Sequence, residues 1–359
     1  MNGLLELCLG CMLMTPSAAP SLKRGDLCYV QRDYDCANAS FTLGWMAAQQ
    51  ATPEDPARYE VLKRLTRVHR AKGEFPLAEG FLARAIEWRE HNAGARDVKL
   101  GEDLIEEFLL CRIIKDYAQA TAVVKRLMEL DTAAAGEEPS KAVADDYSRM
   151  ALIDLDEKKY EDAVAPLNLA IGMRSRLAGS LDPSLVPDLD RLGETYIALR
   201  DYAGAEFIYR QALVIREGAY GKEHADLIAT VDGLAYACFG QQKYDEAEEL
   251  YQRLLHLWVT SVGKEHPMVA IALDKIAMFY ATQKKFDQAR EAADHANAIR
   301  AFSLATGLEL EATQQYDAGH VDVTKALLNR ALKALEPSDP VYDDLHTEIA
   351  KIIAPLNKK

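Results

Sequence analysis

The sequence predicts an all-α protein, an α-α superhelical solenoid of helix hairpins, on two observations. The first is a period: an aromatic residue followed three positions later by alanine recurs every 42 or 43 residues. The second is that apolar residues inside each period keep helical spacing. The pairs are Phe75/Ala78, Tyr117/Ala120, Tyr160/Ala163, Tyr202/Ala205, Tyr244/Ala247 and Phe286/Ala289. Because such a period is typical of stacked repeats, we expect six clear repeats and about eight in total.

Each period contains two helices, as the repeat around Tyr202 shows. Apolar and small residues recur every three or four positions both before and after this tyrosine. They are Leu189, Leu192, Gly193 and Tyr196, then Ala205, Tyr209 and Ala212. The small residues allow the two helices to approach closely. One such hairpin cannot bury its own apolar face, so it must stack on its neighbours.

The connections between repeats also recur. Gly179, Gly221 and Gly263 occupy matching places, and glycine suits the left-handed residue that ends a helix. Pro183 and Pro267 follow, and proline suits the first turn of the next helix. The connections therefore separate the repeats at the same point of each period.

The repeat around Tyr202 resembles the tetratricopeptide repeat. Its signature stands intact as Leu192-Gly193, Tyr196, Ala205, Tyr209 and Ala212. The common unit has about 34 residues, whereas the longer unit of this chain is similar to the kinesin light chain type, which is widespread in adaptors and scaffolds. The resemblance covers about residues 57–335. It implies binding of a protein or peptide and names no partner.

Four segments are expected along the chain. They are an apolar leader at 1–19 (a candidate signal peptide), a degenerate first repeat at 20–56, the core array at 57–300, and a weaker last repeat with a C-terminal capping helix at 301–359. The leader leaves two readings open, a cleaved signal peptide and an atypical first helix. Export, for example to the periplasm, is favoured over the cytoplasm. No apolar run reaches the roughly 20 residues that a transmembrane helix needs.

Cys28 and Cys36 are candidates for a disulfide bond. Alignment with the later repeats places Cys28 and Cys36 opposite each other in a helix hairpin, which predicts a disulfide in an exported protein. Two unpaired thiols in a cytosolic protein are the alternative. Cys8 and Cys11 have the spacing of a redox or metal pair, but no second pair supports a metal site.

Several function classes are disfavoured. The net charge of −14 argues against a general nucleic-acid binder, because a phosphate backbone needs a basic surface. The sequence has neither a nucleotide-binding loop nor a nucleophile motif. We therefore expect neither an enzyme nor a cofactor.

The resemblance implies that the first helix of each repeat lines a concave groove that binds the partner. The implied positions are Lys63, Arg64, Arg67 and Arg70, then Ser148 and Arg149, then Asp190, Arg191 and Glu194, then Asp232 and Tyr236, and last Asp274, Lys275 and Met278. The first four form a basic stripe on one helix face. This stripe would bind an acidic peptide segment, or else it is a solvated face with intrahelical ion pairs.

Three aspartates of this set, Asp190, Asp232 and Asp274, repeat every 42 residues and should form a ladder along the groove. The function expected from these features is an adaptor or scaffold that holds an extended peptide or a partner protein in the groove. The alternative is a structural subunit of a larger assembly that acts through its convex face or its ends.

Overall fold

Helix pairs follow one another along the chain. The computed structural model describes residues 17–94, 97–136, 138–335 and 342–356, and within these ranges it contains sixteen α-helices and no β-strand. The prediction of an all-α repeat fold is confirmed. Most of the proposed leader, with Cys8 and Cys11, lies outside the described residues. Among the described helices, none combines the length and the apolar character needed to cross a membrane.

The chain divides into two compact units, an N-terminal half that ends at Leu177 and a C-terminal half that begins at Ala178. The N-terminal half contains four helix pairs. They are α1 (Ala19–Val30) with α2 (Tyr34–Gln49), α3 (Pro56–Ala71) with α4 (Phe75–Ala93), α5 (Val98–Ile114) with α6 (Tyr117–Ala135), and α7 (Lys141–Asp156) with α8 (Tyr160–Ala178).

The C-terminal half continues the alternation of first and second helices. Its helices are α9 (Val186–Ala198), α10 (Tyr202–Tyr220), α11 (Ile228–Gly240), α12 (Tyr244–Val262), α13 (Pro267–Thr282), α14 (Phe286–Asp317), α15 (Val321–Leu335) and α16 (Asp343–Leu356). Short 3₁₀ turns, Pro183–Leu185 and Ala225–Leu227, lead into α9 and α11. Every aromatic residue of the sequence period is thus the first residue of a second helix.

The same backbone turn joins the two helices of each pair from α1 and α2 to α13 and α14. In the repeat of Tyr202, the turn residue Arg200 has a φ of 59°. The backbone N–H of Asp201 then donates to the carbonyl of Tyr196 at 2.8 Å, which closes a Schellman turn. The carboxylate of Asp201 accepts a hydrogen bond from the N–H of Gly204 at 2.9 Å and caps the second helix. Because non-glycine residues occupy most of these left-handed positions, the turn is not marked by glycine in the sequence. The other positive-φ residues at this place include Arg32, Gly73, Lys115, Lys158, Gln242 and Lys284.

Close packing between consecutive repeats centres on Tyr209, which is 4% exposed. A Cβ atom built on Gly193, in the first helix of the same repeat, would lie 2.6 Å from Cζ of this tyrosine. A Cβ atom built on Gly233, in the first helix of the next repeat, would lie 2.4 Å from the same atom. The ring therefore fills the space between α9 and α11, and only glycine leaves enough room on both sides of it.

The last repeats depart from the pattern because α14 is a single helix of 32 residues. It packs against α13 on one side and α15 on the other, so it serves as the second helix of one pair and the first helix of the next. Ala305 stands where Gly263 ends the preceding repeat, and Glu309 stands where Pro267 begins the following helix. Because neither a glycine nor a proline stands at these places, the helix does not end there. The boundary expected at residue 300 therefore lies inside α14.

In the first helix pair, the structure joins the sulfur atoms of Cys28 and Cys36, whose Cα atoms are 5.7 Å apart. Cys28 lies in the last turn of α1, and Cys36 lies in the first turn of α2. The bond therefore ties the two helices together beside their connecting turn.

Replacing Gly193 by alanine should lower the free energy of unfolding by about 1–3 kcal/mol, because the new methyl group overlaps the buried ring of Tyr209. Urea denaturation followed by circular dichroism measures the change. Gly218→Ala is the matched control in α10, where nothing lies within 4 Å of the added Cβ atom. It should stabilise the protein by about 0.5–1 kcal/mol. Equal effects of the two substitutions would contradict the close packing at Gly193.

Candidate peptide-binding face

The basic stripe lies on α3, and its cations are occupied by carboxylates. Arg64 binds Asp26 of α1 at 3.1 Å and Glu60 of its own helix at 2.5 Å. Arg67 binds the same Asp26 at 3.0 Å, and its guanidinium lies 4.3 Å from the ring centroid of Tyr29. Only the pair with Glu60 is of the intrahelical type expected from the sequence; the others join α3 to α1.

The remaining two cations of the stripe pair with α5. Lys63 lies 2.8 Å from Asp103 and 2.5 Å from Glu106, and Arg70 lies 3.0 Å from Glu106. Burial opposes the charge on Lys63, but the hydrogen bonds to both carboxylates outweigh it and raise the pKa of this lysine. The four cations therefore neutralise acidic groups of the protein itself, and an acidic peptide would have to compete with them.

The next predicted positions, Ser148 and Arg149, lie on α7. Arg149 binds Asp146 at 2.5 Å, and Asp146 is fully buried. Burial raises the pKa of Asp146 despite the arginine, and the neighbouring carboxylate of Asp131 raises it further. The hydroxyl of Ser148 accepts a hydrogen bond from Arg174 at 3.2 Å. Both predicted residues therefore have partners within the protein.

The aspartate ladder is present in the C-terminal half, and each of its members forms an ion pair. Arg216 of α10 binds Asp190 through two nitrogen atoms, at 2.7 and 2.6 Å. Lys275 of α13 binds Asp232 of α11. Arg300 of α14 binds Asp274. The ladder therefore stabilises contacts between helices and does not present a row of free carboxylates.

A periodic arginine on the second helices, which was not predicted from the sequence, supplies several of these partners. Arg174, Arg216 and Arg300 fall on one 42-residue register, in which Trp258 takes the intervening place, and Arg89 lies 85 residues before Arg174. Arg216, Arg300 and Arg174 each reach a residue 26 positions earlier, on the first helix of the same repeat. Arg89 and Arg216 also reach a residue 14 positions later, Asp103 and Thr230. Comparing the chain with itself for charged residues would have found this series.

Three predicted residues that are exposed and form no ion pair with any described residue lie at one position of three consecutive first helices. They are Glu194 on α9, Tyr236 on α11 and Met278 on α13; Tyr236 is 41% exposed and Met278 is 58% exposed. Burial by its neighbours raises the pKa of Glu194, and the charge of Asp190 adds to this while Arg191 opposes it. Arg191 itself binds Asp188 at 2.9 Å.

The N-terminal half has an apolar counterpart that was not predicted from the sequence. Leu109 occupies the position of Glu194 on α5 and is 46% exposed, and Ile113, one turn later, is 50% exposed. Both line a depression of about 500 Å³ on the first-helix side of α5. Its rim carries three cations, Arg70, Arg112 and Lys115. Exposed aliphatic side chains beside cations form a surface that can bind an apolar group with a neighbouring anion.

The comparisons with known proteins agree with the helical repeat fold. A model of the tetratricopeptide repeat matches residues 184–255 and 227–301. The chain therefore contains tetratricopeptide repeats between residues 184 and 301. Its fold is similar to that of BtubC (BKLC) from P. vanneervenii, with a TM-score of 0.52 and 17% identity over 63% of this chain and 90% of the other. It is also similar to the nearly identical tetratricopeptide-like repeats of a putative kinesin light chain from Podosopora anserina, with a TM-score of 0.50 and 19% identity over 58% and 99% of the two chains.

Among curated proteins, none matches this chain. The resemblance to the kinesin light chain type of repeat is confirmed at the level of the fold. Tetratricopeptide repeat proteins are typically scaffolds for protein interactions and not enzymes. The family thus supports protein binding in general and does not choose the surface or the partner.

One cluster in the C-terminal half has ligand types that can bind a metal. Oxygen atoms of Glu206 and Glu246 and the sulfur of Cys238 lie within 4.8 Å of one another. Burial opposes the charge of Glu206, but hydrogen bonds from Lys243, Arg210 and Gln241 lower its pKa to about 2. Burial raises the pKa of Cys238 to about 12, so the thiol is protonated at neutral pH. With its carboxylates bound to cations and its sulfur protonated, the cluster is an ion-pair network between repeats.

Replacing Arg216 by glutamine should destabilise the protein by about 2 kcal/mol, because Asp190 and the buried Thr230 lose their shared partner. Thermal and urea denaturation measure the effect. Arg290→Gln is the control, since this arginine is 84% exposed and lies 3.6 Å from Asp294. It should change the free energy of unfolding by less than about 0.5 kcal/mol. A loss as small as that of the control would show that the periodic arginine does not join the helices.

Proposed function

We propose that this protein is an interaction scaffold that binds an extended peptide on the face formed by its first helices, with the depression beside α5 as an anchor site. The observation that carries the proposal is the exposure of Leu109 and Ile113 in a depression where Arg70 and Arg112 are ion-paired. Burying exposed aliphatic surface yields about 25 cal/mol for each Å². The leucine and isoleucine therefore give a partner more binding energy than the paired charges around them.

The charges around the depression favour an anionic neighbour for the bound apolar group. Arg70 is paired with Glu106, and Arg112 is paired with Asp156 at 2.6 Å. Lys115 forms no ion pair with any residue that the structure describes, and it is exposed. An acidic residue beside the anchor can therefore bind Lys115 without displacing an internal carboxylate. At the basic stripe, by contrast, it would have to displace Asp26 or Glu106.

The peptide that we propose for this half thus has an apolar anchor next to an acidic residue. This keeps the acidic partner expected from the sequence but moves its main contact from the stripe on α3 to the depression on α5. Arg70 belongs to both surfaces, because it lies at the end of the stripe and on the rim of the depression.

Peptide display against the intact chain tests the proposal. We expect selection of peptides with a large apolar residue beside aspartate or glutamate. Leu109→Glu should weaken their binding at least tenfold, because it places a carboxylate where the anchor packs. Isothermal titration calorimetry with a selected peptide measures the loss, and circular dichroism confirms that the variant folds.

Leu169→Glu is the matched control, because Leu169 is 48% exposed on the second helix α8 of the same half. It should leave the affinity unchanged. If Leu169→Glu weakens binding as strongly as Leu109→Glu, or if only Leu169→Glu does so, the first-helix face is not the binding site.

The alternative function, a structural subunit that acts through its convex face, is favoured by one pair of residues. Phe207 and Val214 lie seven positions apart on the second helix α10, and they are 63% and 56% exposed. On this alternative, a charge at Phe207, and not at Leu109, would release the chain from its assembly. Size measurement of the native complex distinguishes the two.

A further inference from the structure

The accessible side chains of the C-terminal half form a series with a definite chemical order. Glu194, Tyr236 and Met278 stand 42 residues apart, at the same position of α9, α11 and α13. All three are exposed. The series runs from a carboxylate through an aromatic ring to a flexible thioether. We call these three residues the accessible row.

Glu194 supplies the uncompensated charge of the accessible row. The aspartates next to the row are bound to Arg216, Lys275 and Arg300. Arg191, the cation nearest in sequence, is bound to Asp188. Glu194 forms no ion pair with any residue in the described part of the chain. Partial burial and the neighbouring charge of Asp190 raise the pKa of Glu194, and Arg191 opposes this rise.

The other two members provide apolar surface. The ring of Tyr236 lies against those of Tyr202 and Phe239, with centroid distances of 6.2 and 6.4 Å, so it is held in place while one side stays accessible. Met278 is 58% exposed, and methionine adapts to differently shaped apolar groups. A rigid ring beside a flexible side chain suits two successive apolar residues of a ligand.

The spacing of the row sets the spacing of a ligand. The first helices α9 and α11 contact each other, and the ion pair of Asp232 with Lys275 joins α11 to α13. Packed helix axes lie about 8–10 Å apart. A chain in the extended polyproline II conformation advances about 3.1 Å for each residue and turns once every three residues, so side chains three positions apart lie on the same side. Three residues of an extended peptide therefore cover one step of the row.

We infer that the accessible row binds an extended segment of a partner protein in which a lysine or arginine is followed, at intervals of three residues, by an aromatic and an aliphatic residue. The inference rests on the proposed use of first-helix faces, and it assigns this half a cationic ligand that differs from the acidic one proposed for the depression on α5. Charge complementarity with Glu194 selects the cation, and Tyr236 and Met278 select the two apolar residues.

Fluorescence anisotropy with defined peptides tests the inference on the intact chain. The probes carry the sequence Arg-Ser-Ala-Trp-Ser-Ala-Leu and its reversed order, because an extended peptide can bind in either direction. A third probe replaces arginine by glutamate, and a fourth deletes one residue between arginine and tryptophan. We expect one arginine probe to bind at least tenfold more tightly than its glutamate counterpart, and the shortened probe to bind several-fold more weakly.

Glu194→Gln should remove the preference for the arginine probe over its glutamate counterpart. Tyr236→Ser should weaken the binding of both of these probes. Glu249→Gln, which removes an exposed carboxylate from the second helix α12, is the control and should preserve the preference. The inference is overturned if neither arginine probe binds, if arginine and glutamate probes bind equally well, or if Glu194→Gln leaves the preference intact. Peptide display tests the depression on α5 in a separate experiment. A negative result with the probes for the accessible row therefore does not decide the proposed function.

Discussion

The ring of Tyr209 between Gly193 and Gly233 is the contact on which the described geometry of the C-terminal half depends. The ring occupies the space that a side chain on either glycine would need, so it sets how closely α9 and α11 approach. Stacking of similar hairpins then turns a sequence period of 42 residues into a row of neighbouring positions. Residues that are remote in sequence become adjacent for this reason, and both the ion pairs and the accessible row follow from it.

Ion pairs take up most of the charge on the first-helix faces. A scaffold with many ionised groups must either leave them solvated or pair them, and this chain pairs them between helices. Arg216 and Arg300 connect second helices to first helices, while Asp26 and Glu106 hold the basic stripe. Our two proposals therefore assign recognition to side chains without such partners, which are Leu109 and Ile113 in one half and the accessible row in the other.

Much of the fold could be predicted because the residues that recur with the period are the ones that pack between the helices. The aromatic and alanine pairs marked the start of every second helix from Phe75 to Phe286, and the intact motif at Leu192–Ala212 identified the kind of repeat. The length of α14 was harder, because it depends on what replaces a glycine and a proline. Ala305 and Glu309 occupy those places. An alignment finds the residues that match between repeats, but it does not draw attention to a place where a helix-ending residue is absent.

The candidate site was less predictable, because a side chain is available for binding only if it has no ion-pair partner within the protein, and its position in the repeat does not show this. The stripe from Lys63 to Arg70 is strongly basic in sequence, but its carboxylate partners come from other helices. Asp26 lies 38 and 41 residues from the two arginines that it binds, and Glu106 lies 43 and 36 residues from Lys63 and Arg70. The predicted positions all lie on first helices, yet the sequence could not tell which of them form ion pairs within the protein. Asp190 is bound to Arg216, whereas Glu194 forms no ion pair with any described residue, and this difference depends on distances between helices that the sequence does not show.

The most direct test of the first-helix face as the binding surface is site-specific photo-crosslinking. A benzophenone amino acid placed at Leu109 or Tyr236 reports on first helices, and the same group at Leu169 or Phe207 reports on second helices; all four residues are at least 41% exposed. Mass spectrometry then locates the crosslinks to a bound, selected peptide. Binding on the first-helix face predicts crosslinks from position 109 or 236 and none from 169 or 207, and crosslinks only from the second helices would contradict it.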